Sequence, residues 1–263
     1  TFTVDLPAGY KQQGTKLDRF GLMNMMKAGG VATIHFGDLQ LNGQPLNLSK
    51  EPGWVAQGNR ASYEDREQTG AHNFGFSEKT AFAGGRPGEA GGDFWRSGKH
   101  GYYADRVGPF TLEQRLEARG KVTMVTGGPD ADMMLGWFNS ADKETSPIQS
   151  GNFVGVAVGG PTRVGHLFAP SLTTAKGGRG KVEAAPRLKP GKTYEWSLMY
   201  DPAANNGNGE IKVTLDGEAV TLALKPGLKA QGATLDRFGL FTSEIGGQMV
   251  RLYLDDVTYT SAP

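Results

Sequence analysis

Two stretches of this chain concentrate side chains that could grip a sugar and move a proton. The first runs Asn59-Arg60-Ala61-Ser62-Tyr63-Glu64-Asp65-Arg66-Glu67-Gln68 and is followed by His72-Asn73-Phe74-Gly75-Phe76. If residues 62–68 are extended, Tyr63, Asp65 and Glu67 share one face while Glu64 and Arg66 share the other. Alternating charge of this kind can line a cleft. There Arg60 and Arg66 would bind hydroxyls or uronate carboxylates through paired hydrogen bonds, with Asn73 beside them. Glu64 and His72 would supply an acid and a base. The competing reading is a solvated, salt-bridged strand.

The second stretch is Gly84 to Asp105, GGRPGEAGGDFWRSGKHGYYAD. Glycines on both sides of Glu89 let the backbone approach a ligand and hold that carboxylate in an unusual turn. Trp95, Tyr102 and Tyr103 offer ring faces that stack on the apolar face of a pyranose, and Arg96 and His100 can bind its hydroxyls. Tyr103 is also a proton donor or acceptor. Against this stands a plainer reading in which Phe94 and Trp95 are core and Glu89 braces its own loop through backbone amides.

Of the four histidines, His72 and His100 lie in these polar stretches. His35 falls in an alternating strand and His166 between Gly165 and Leu167, positions where an imidazole is more often structural. No two histidines have metal-ligand spacing, so no metal site is expected. Asp201–Glu210 (DPAANNGNGE) carries the oxygen ligands of a structural calcium site, but it lacks the acidic spacing of an EF-hand and reads as a turn. No phosphate-cradling glycine motif and no serine nucleophile elbow is present, and no cofactor is expected.

The elements that would position these residues are strands. Val31–Leu41, Met249–Tyr259 and Glu210–Leu215 alternate with period two, and Asp216-Gly217 marks a hairpin turn after the last of them. The best helix candidate, Thr111–Arg119, is short and leads into a strand at Lys121–Val125. The 40 Gly and 14 Pro are spread along all 263 residues, as many tight turns require. A net charge of +1 gives no footprint for nucleic acid, and no apolar run is long enough for a membrane span. Absence of cysteine removes disulfides and thiolate chemistry. The opening Thr1-Phe2-Thr3-Val4 lacks the charged and apolar regions of a leader and reads as a processed or cut start. The fold class read from these features is all-β; the resemblance given below implies a two-sheet jelly-roll sandwich of concanavalin-A-like kind.

One internal repeat stands out. Leu6–Leu22 (LPAGYKQQGTKLDRFGL) matches Leu224–Leu240 (LKPGLKAQGATLDRFGL) at 11 of 17 positions with an offset of 218 residues. Beyond it, Gly29 falls on Gly247, Ile34-His35-Phe36 on Leu252-Tyr253-Leu254 and Asp38 on Asp256. Either residues 1–263 form one sandwich with the two copies as symmetric strands, or residues 1–43 are the terminal hairpin of a preceding domain and the sandwich proper spans 54–263. In the second case Gln44–Trp54 is the link.

The segments GGRPGEAGGDFWRSGKHGYYAD, MLGWFNS, YDPAANNGNGEIKVTLDG and LDRFGLFTSEIGGQMVRLYLDDV resemble concanavalin-A-like (LamG-like) jelly-roll proteins of polysaccharide-degrading bacteria. The resemblance covers most of the chain from Trp54 onward. It implies the fold and a carbohydrate context but assigns no catalytic residue. The Glu-x-Asp-x-Glu strand of laminarinase-type hydrolases and the Arg-Glu-x-Arg, Gln-Ile-His and Tyr-x-Lys motifs of jelly-roll alginate lyases are absent.

The functional expectation is a secreted, periplasmic or cell-surface protein that acts on a polysaccharide or oligosaccharide, cleaving it by hydrolysis or β-elimination. Hydrolysis would want two carboxyl groups about 5–10 Å apart. Elimination would want a His or Tyr base beside an Arg. The alternatives are a carbohydrate-binding module with a platform of Trp95, Trp137 and Tyr102, or a structural surface domain. Three structural expectations follow. Phe20 and Phe238 are both buried in equivalent strands. Tyr194, Trp196 and Leu198 point together into the core from a strand paired with Glu210–Leu215. His72, Glu89 and Arg96 converge on one concave surface.

Overall fold

The computed structural model describes residues 2–23, 34–56, 72–95, 101–128, 131–142, 152–160, 166–242 and 249–262. After a small hairpin of β1 (Gln40–Leu41) and β2 (Gln44–Pro45), the strands are β3 (Asn73–Ser77), β4 (Glu89–Phe94), β5 (Tyr102–Phe110), β6 (Leu116–Gly127), β7 (Met133–Phe138), β8 (Phe153–Gly159) and β9 (His166–Thr173). There follow β10 (Arg179–Lys181), β11 (Arg187–Leu188), β12 (Thr193–Asp201), β13 (Glu210–Leu215), β14 (Glu218–Ala223), β15 (Leu235–Thr242) and β16 (Val250–Tyr259).

Two seven-stranded sheets form the body. One has the order β10-β9-β8-β7-β15-β5, with β11 also pairing β9; the other has the order β14-β13-β12-β6-β16-β4-β3. All the pairings are antiparallel. This is the all-β body that the alternation predicts, in the concanavalin-A-like two-sheet jelly-roll form that the resemblance implies. Short runs rich in β-branched and aromatic residues present one apolar face each, and two such faces close on each other.

Strand β12 shows the logic. Tyr194, Trp196, Leu198 and Tyr200 are buried while Thr193 and Glu195 are exposed. Ser197↔Thr214 and Leu198↔Val213 set its register on β13. The β13–β14 hairpin turns at Asp216 and Gly217, whose φ values of 48° and 82° lie in the left-handed region that tight hairpins demand. No helix forms at Thr111–Arg119, the best of the weak helix candidates. Thr111–Gln114 make a turn closed by the Gln114 side chain on the Thr111 N–H, and β6 begins at Leu116. Leu116 and Ala118 are both buried, so alternation continues inward through this stretch and overrides its helix propensity.

His166, at the start of β9, is a buried structural histidine. Its ring lies against Gly127, where a methyl group would collide with it. Burial holds its pKa below the ordinary histidine value, against the opposing pull of a hydrogen bond to the Ala131 backbone and the charge of Asp132. A depressed folded pKa means that the unfolded chain takes up this proton first. Stability from the neutral imidazole is therefore complete above about pH 6.5 and falls as pH drops through the window below it. Thermal midpoints measured from about pH 7.5 down to about pH 5.5 are expected to decline. His166→Gln, which cannot titrate, is expected to flatten that slope.

The two copies of the repeat do not share an environment. Phe238 is buried in β15, but Phe20 is exposed and lies in no strand. The expectation that both would be core residues is overturned, because residues 2–23 have no sheet on either side to bury them.

Candidate active site at the open edge of the sandwich

Both sheets end on the same side of the molecule, one at β5 and the other at β3. The inward faces of these edge strands look at each other. Phe74 stacks on core Phe94 at 4.2 Å between ring centroids, and His72 meets the Phe74 ring edge-on at 5.7 Å. Across from them, a Cβ placed on Gly101 would stand 3.1 Å from His72 Cδ2, and one on Gly75 would stand 3.8 Å from the Tyr103 ring. His72 thus abuts the chain just before β5, and Tyr103 abuts β3. The lack of a side chain at Gly101 lets the imidazole sit that close.

The surrounding backbone is pinned. Gly101 N–H donates to Thr242 Oγ1 at 3.0 Å and Thr242 N–H donates to the Gly101 carbonyl at 2.9 Å, which fixes the entry of β5 against the end of β15. Trp95 N–H donates to His72 Nδ1 at 3.4 Å, which places the proton of a neutral imidazole on Nε2. On the outer face, Asn73 pairs with Asp93 in register, and Asp93 accepts a two-pronged ion pair from Arg251, at 2.6 Å from Nε and 2.9 Å from Nη2. That hydrogen bond raises the Arg251 pKa.

Of the expected site residues at this edge, His72, just before β3, and Tyr103, on β5, lie on the inward side, and Trp95 contributes its backbone N–H; Asn73 and Tyr102, each one residue out of step with an inward-facing neighbour, point to the outer faces of their sheets. Tyr102 and Tyr103 are exposed, and Tyr102 meets buried Phe138 edge-on at 5.4 Å. Arg60, Glu64, Arg66, Arg96 and His100 lie outside the described residues.

Two expected members are elsewhere. Trp137 is fully buried, donates Nε1–H to the Thr260 carbonyl at 3.0 Å and packs on Phe238. It is a core residue because β7 is covered on both faces, with all six of its residues buried, and it cannot serve as a sugar platform. Glu89 is also buried, and its two oxygens accept from the backbone N–H groups of Phe82 (3.0 Å) and Ala83 (2.7 Å). It begins β4, six residues from Trp95, or roughly 20 Å along an extended strand. Glu89 does not converge with His72; it braces the loop before its strand.

Glu89→Ala is expected to cost about 1–3 kcal/mol for each N–H left without an acceptor, less for the partly exposed Phe82 group. Urea unfolding would measure that loss. The turnover of the folded molecules is expected to stay unchanged, which separates a brace from a reacting acid.

Other carboxylates near this edge are also engaged. Asp105 accepts from Tyr259 Oη at 2.7 Å. Burial, reinforced by that bond, pushes the Tyr259 pKa up to about 12, which removes this tyrosine from proton transfer near neutrality. Thr242 and Arg251 were not singled out from sequence. Arg251 stands between Val250 and Leu252 in an alternating strand, so its outward position was legible, but its partner Asp93 is 158 residues away. Within Asp201–Asn208, Asp201 accepts from the Ala203 N–H, Asn205 donates to the Leu224 carbonyl and Asn208 donates to the Asn205 carbonyl. That loop closes on itself as a turn. Among the described residues, no group of three His, Asp or Glu side chains is placed to hold a metal ion.

The architecture is a jelly-roll sandwich with His72 and Tyr103 at the open edge where its two sheets face each other. No family model matches the sequence, and no curated protein matches it. Among solved structures, the chain is similar to an endo-β-1,4-glucuronan lyase from the fungus Trichoderma reesei. That comparison has a TM-score of 0.47 and 12% identity, and covers 75% of this chain and 90% of that one. It is also similar to an alginate lyase from Alteromonas sp. 272, with a TM-score of 0.38, 14% identity, and coverage of 59% of this chain and 74% of that one. These likenesses assign no residue a role.

Proposed function

We propose that this protein cleaves an anionic polysaccharide by β-elimination at the edge between β3 and β5. The observation that carries this reading is the placement of His72 and Tyr103 on the inward sides of the two facing sheet edges, His72 against Gly101 before β5 and Tyr103 against Gly75 of β3. Elimination needs one group to take the proton next to the uronate carboxylate and to return a proton to the departing oxygen. An exposed tyrosine can do both, taking the proton as the phenolate and giving it to the departing oxygen as the phenol so formed. Tyr103 is that group, and the half-buried His72 at the same edge is the positioning residue assigned to it.

Hydrolysis asks for a different pair, two free carboxyl groups facing one bond. Glu89, far along β4, is bound to backbone amides, and nearer this edge Asp93 is bound to Arg251 and Asp105 to Tyr259. These three carboxylates are thus engaged elsewhere. The binding-module reading loses its central ring, since Trp137 is buried. A polymer substrate cannot cross a membrane intact, so the protein would work in a secreted, periplasmic or cell-surface setting.

The test is incubation with a panel of neutral and uronate-containing polysaccharides, read both by reducing ends and by absorbance near ~235 nm, where the conjugated double bond left by elimination absorbs. Elimination is expected to raise both signals on uronates alone. Reducing ends without absorbance would mean hydrolysis, and binding without either signal would mean a module.

A further inference from the structure

The first copy of the internal repeat has the local backbone of the second without its surroundings. Each residue pairs with one 218 positions later. The short 3-10 turn at Lys11–Gln13 recurs at Lys229–Gln231. Tyr10 and Leu228, which precede these turns, have φ/ψ of −62°/−39° and −66°/−46°. Gly9 and Gly227 have φ of 91° and 82°, and Asp38 and Asp256 both have φ of 52°. The hydrogen bonds recur as well: Gln13 N–H to Tyr10 O and Gly14 N–H to Lys11 O match Gln231 N–H to Leu228 O and Gly232 N–H to Lys229 O.

Burial is reversed. Leu17 is 86% exposed and Leu235 0%, Phe20 is 83% and Phe238 4%, and Ile34 is 64% and Leu252 0%. The second copy owes its burial to two slots. Strand β15 lies between β7 and β5 in one sheet, and β16 between β6 and β4 in the other. A segment that keeps the turns, the left-handed aspartate and the apolar positions of such a pair is shaped for the same two slots.

We infer that residues 6–41 are the last two strands of a second sandwich of this architecture, a body encoded ahead of them on the same polypeptide. A second copy of the present sandwich does not fit, because its own β15 and β16 already fill both slots along most of their length. Chain order supplies the direction. In this sandwich β15 and β16 come last, so a body completed by residues 6–41 precedes them, and Gln44–Trp54 is the link between the two.

The test is hydrogen exchange on the full-length product of the gene, with amides 17–22 and 34–39 compared with their counterparts 235–240 and 252–257 in the same molecule. Protection of both sets by about 100-fold or more over unstructured rates, independent of protein concentration, is expected. Exchange of 17–22 at unprotected rates while 235–240 stay protected would overturn the proposal. Protection that appears only as concentration rises would overturn it in favour of a second copy. Protection in the dilute 263-residue chain alone would overturn it in favour of packing on the chain's own sandwich. As a variant, Phe20→Asp in the full-length product is expected to abolish protection in the first set and spare the second. Equal loss in both sets, or none, would count against two separate bodies.

Discussion

Tyr103→Phe is expected to lower the rate of uronate cleavage by about 10²–10⁴-fold, the range that a positioned proton-transfer group supplies. The ring stays, so its contact with β3 at Gly75 stays, and only the exposed hydroxyl is lost. A change at an exposed atom of this kind shifts stability by no more than about 0.5 kcal/mol. The rate loss should therefore come with an unchanged thermal midpoint and a KM close to that of the parent. His72→Gln makes the complementary test. His72 lies against Gly101, two residues before Tyr103, and a residue acting through the phenol should move the pH–rate profile as well as the maximal rate. A variant that lost stability and kept its profile would reduce His72 to a core histidine. Full activity in Tyr103→Phe would remove the elimination reading at this edge.

Phe238→Ala is expected to destabilise the sandwich by about 3–5 kcal/mol, whereas Phe20→Ala in the 263-residue chain should change it by less than about 0.5 kcal/mol. Both phenylalanines sit in the same hexapeptide, Leu-Asp-Arg-Phe-Gly-Leu. Phe238 packs on Trp137 at 4.8 Å and stacks on Tyr259 at 4.2 Å. Its removal would leave a cavity against both rings at the centre of the sheet pair. For a domain of this size the loss corresponds to roughly 6–20 °C in the thermal midpoint. Calorimetry on the two variants side by side checks the contrast. Equal effects would mean that residues 2–23 pack on the sandwich after all.

Much of the fold was legible because strand patterning is local. Glu210–Leu215 is β13 at its expected bounds, Asp216-Gly217 is the expected turn, and Tyr194, Trp196 and Leu198 are buried together. Period-two alternation and residues that accept positive φ are properties of a few neighbours, so they survive in a one-dimensional reading. The site was legible in part. His72 and Tyr103 were selected by residue type, and only the facing of the two sheet edges puts both at one end of the sandwich, whereas Asn73 and Tyr102 turn to the outer faces.

Composition and alternation alone determined that this chain is a cysteine-free, all-β sandwich whose proton-transfer candidates fall in two stretches between residues 60 and 103. Tertiary structure decided which candidates were available. Glu89 and Trp137 have the residue types of a carboxylate acid and a stacking platform, but backbone amides claim the first and a covered strand claims the second. Burial depends on what the other sheet places opposite a residue, and the residues opposite are distant in sequence. The repeat is the clearest case. The apolar residues of the same six letters are core at Leu235, Phe238 and Leu240 and solvent-exposed at Leu17, Phe20 and Leu22, because a strand's apolar face is buried only where neighbouring strands and a facing sheet are present to cover it.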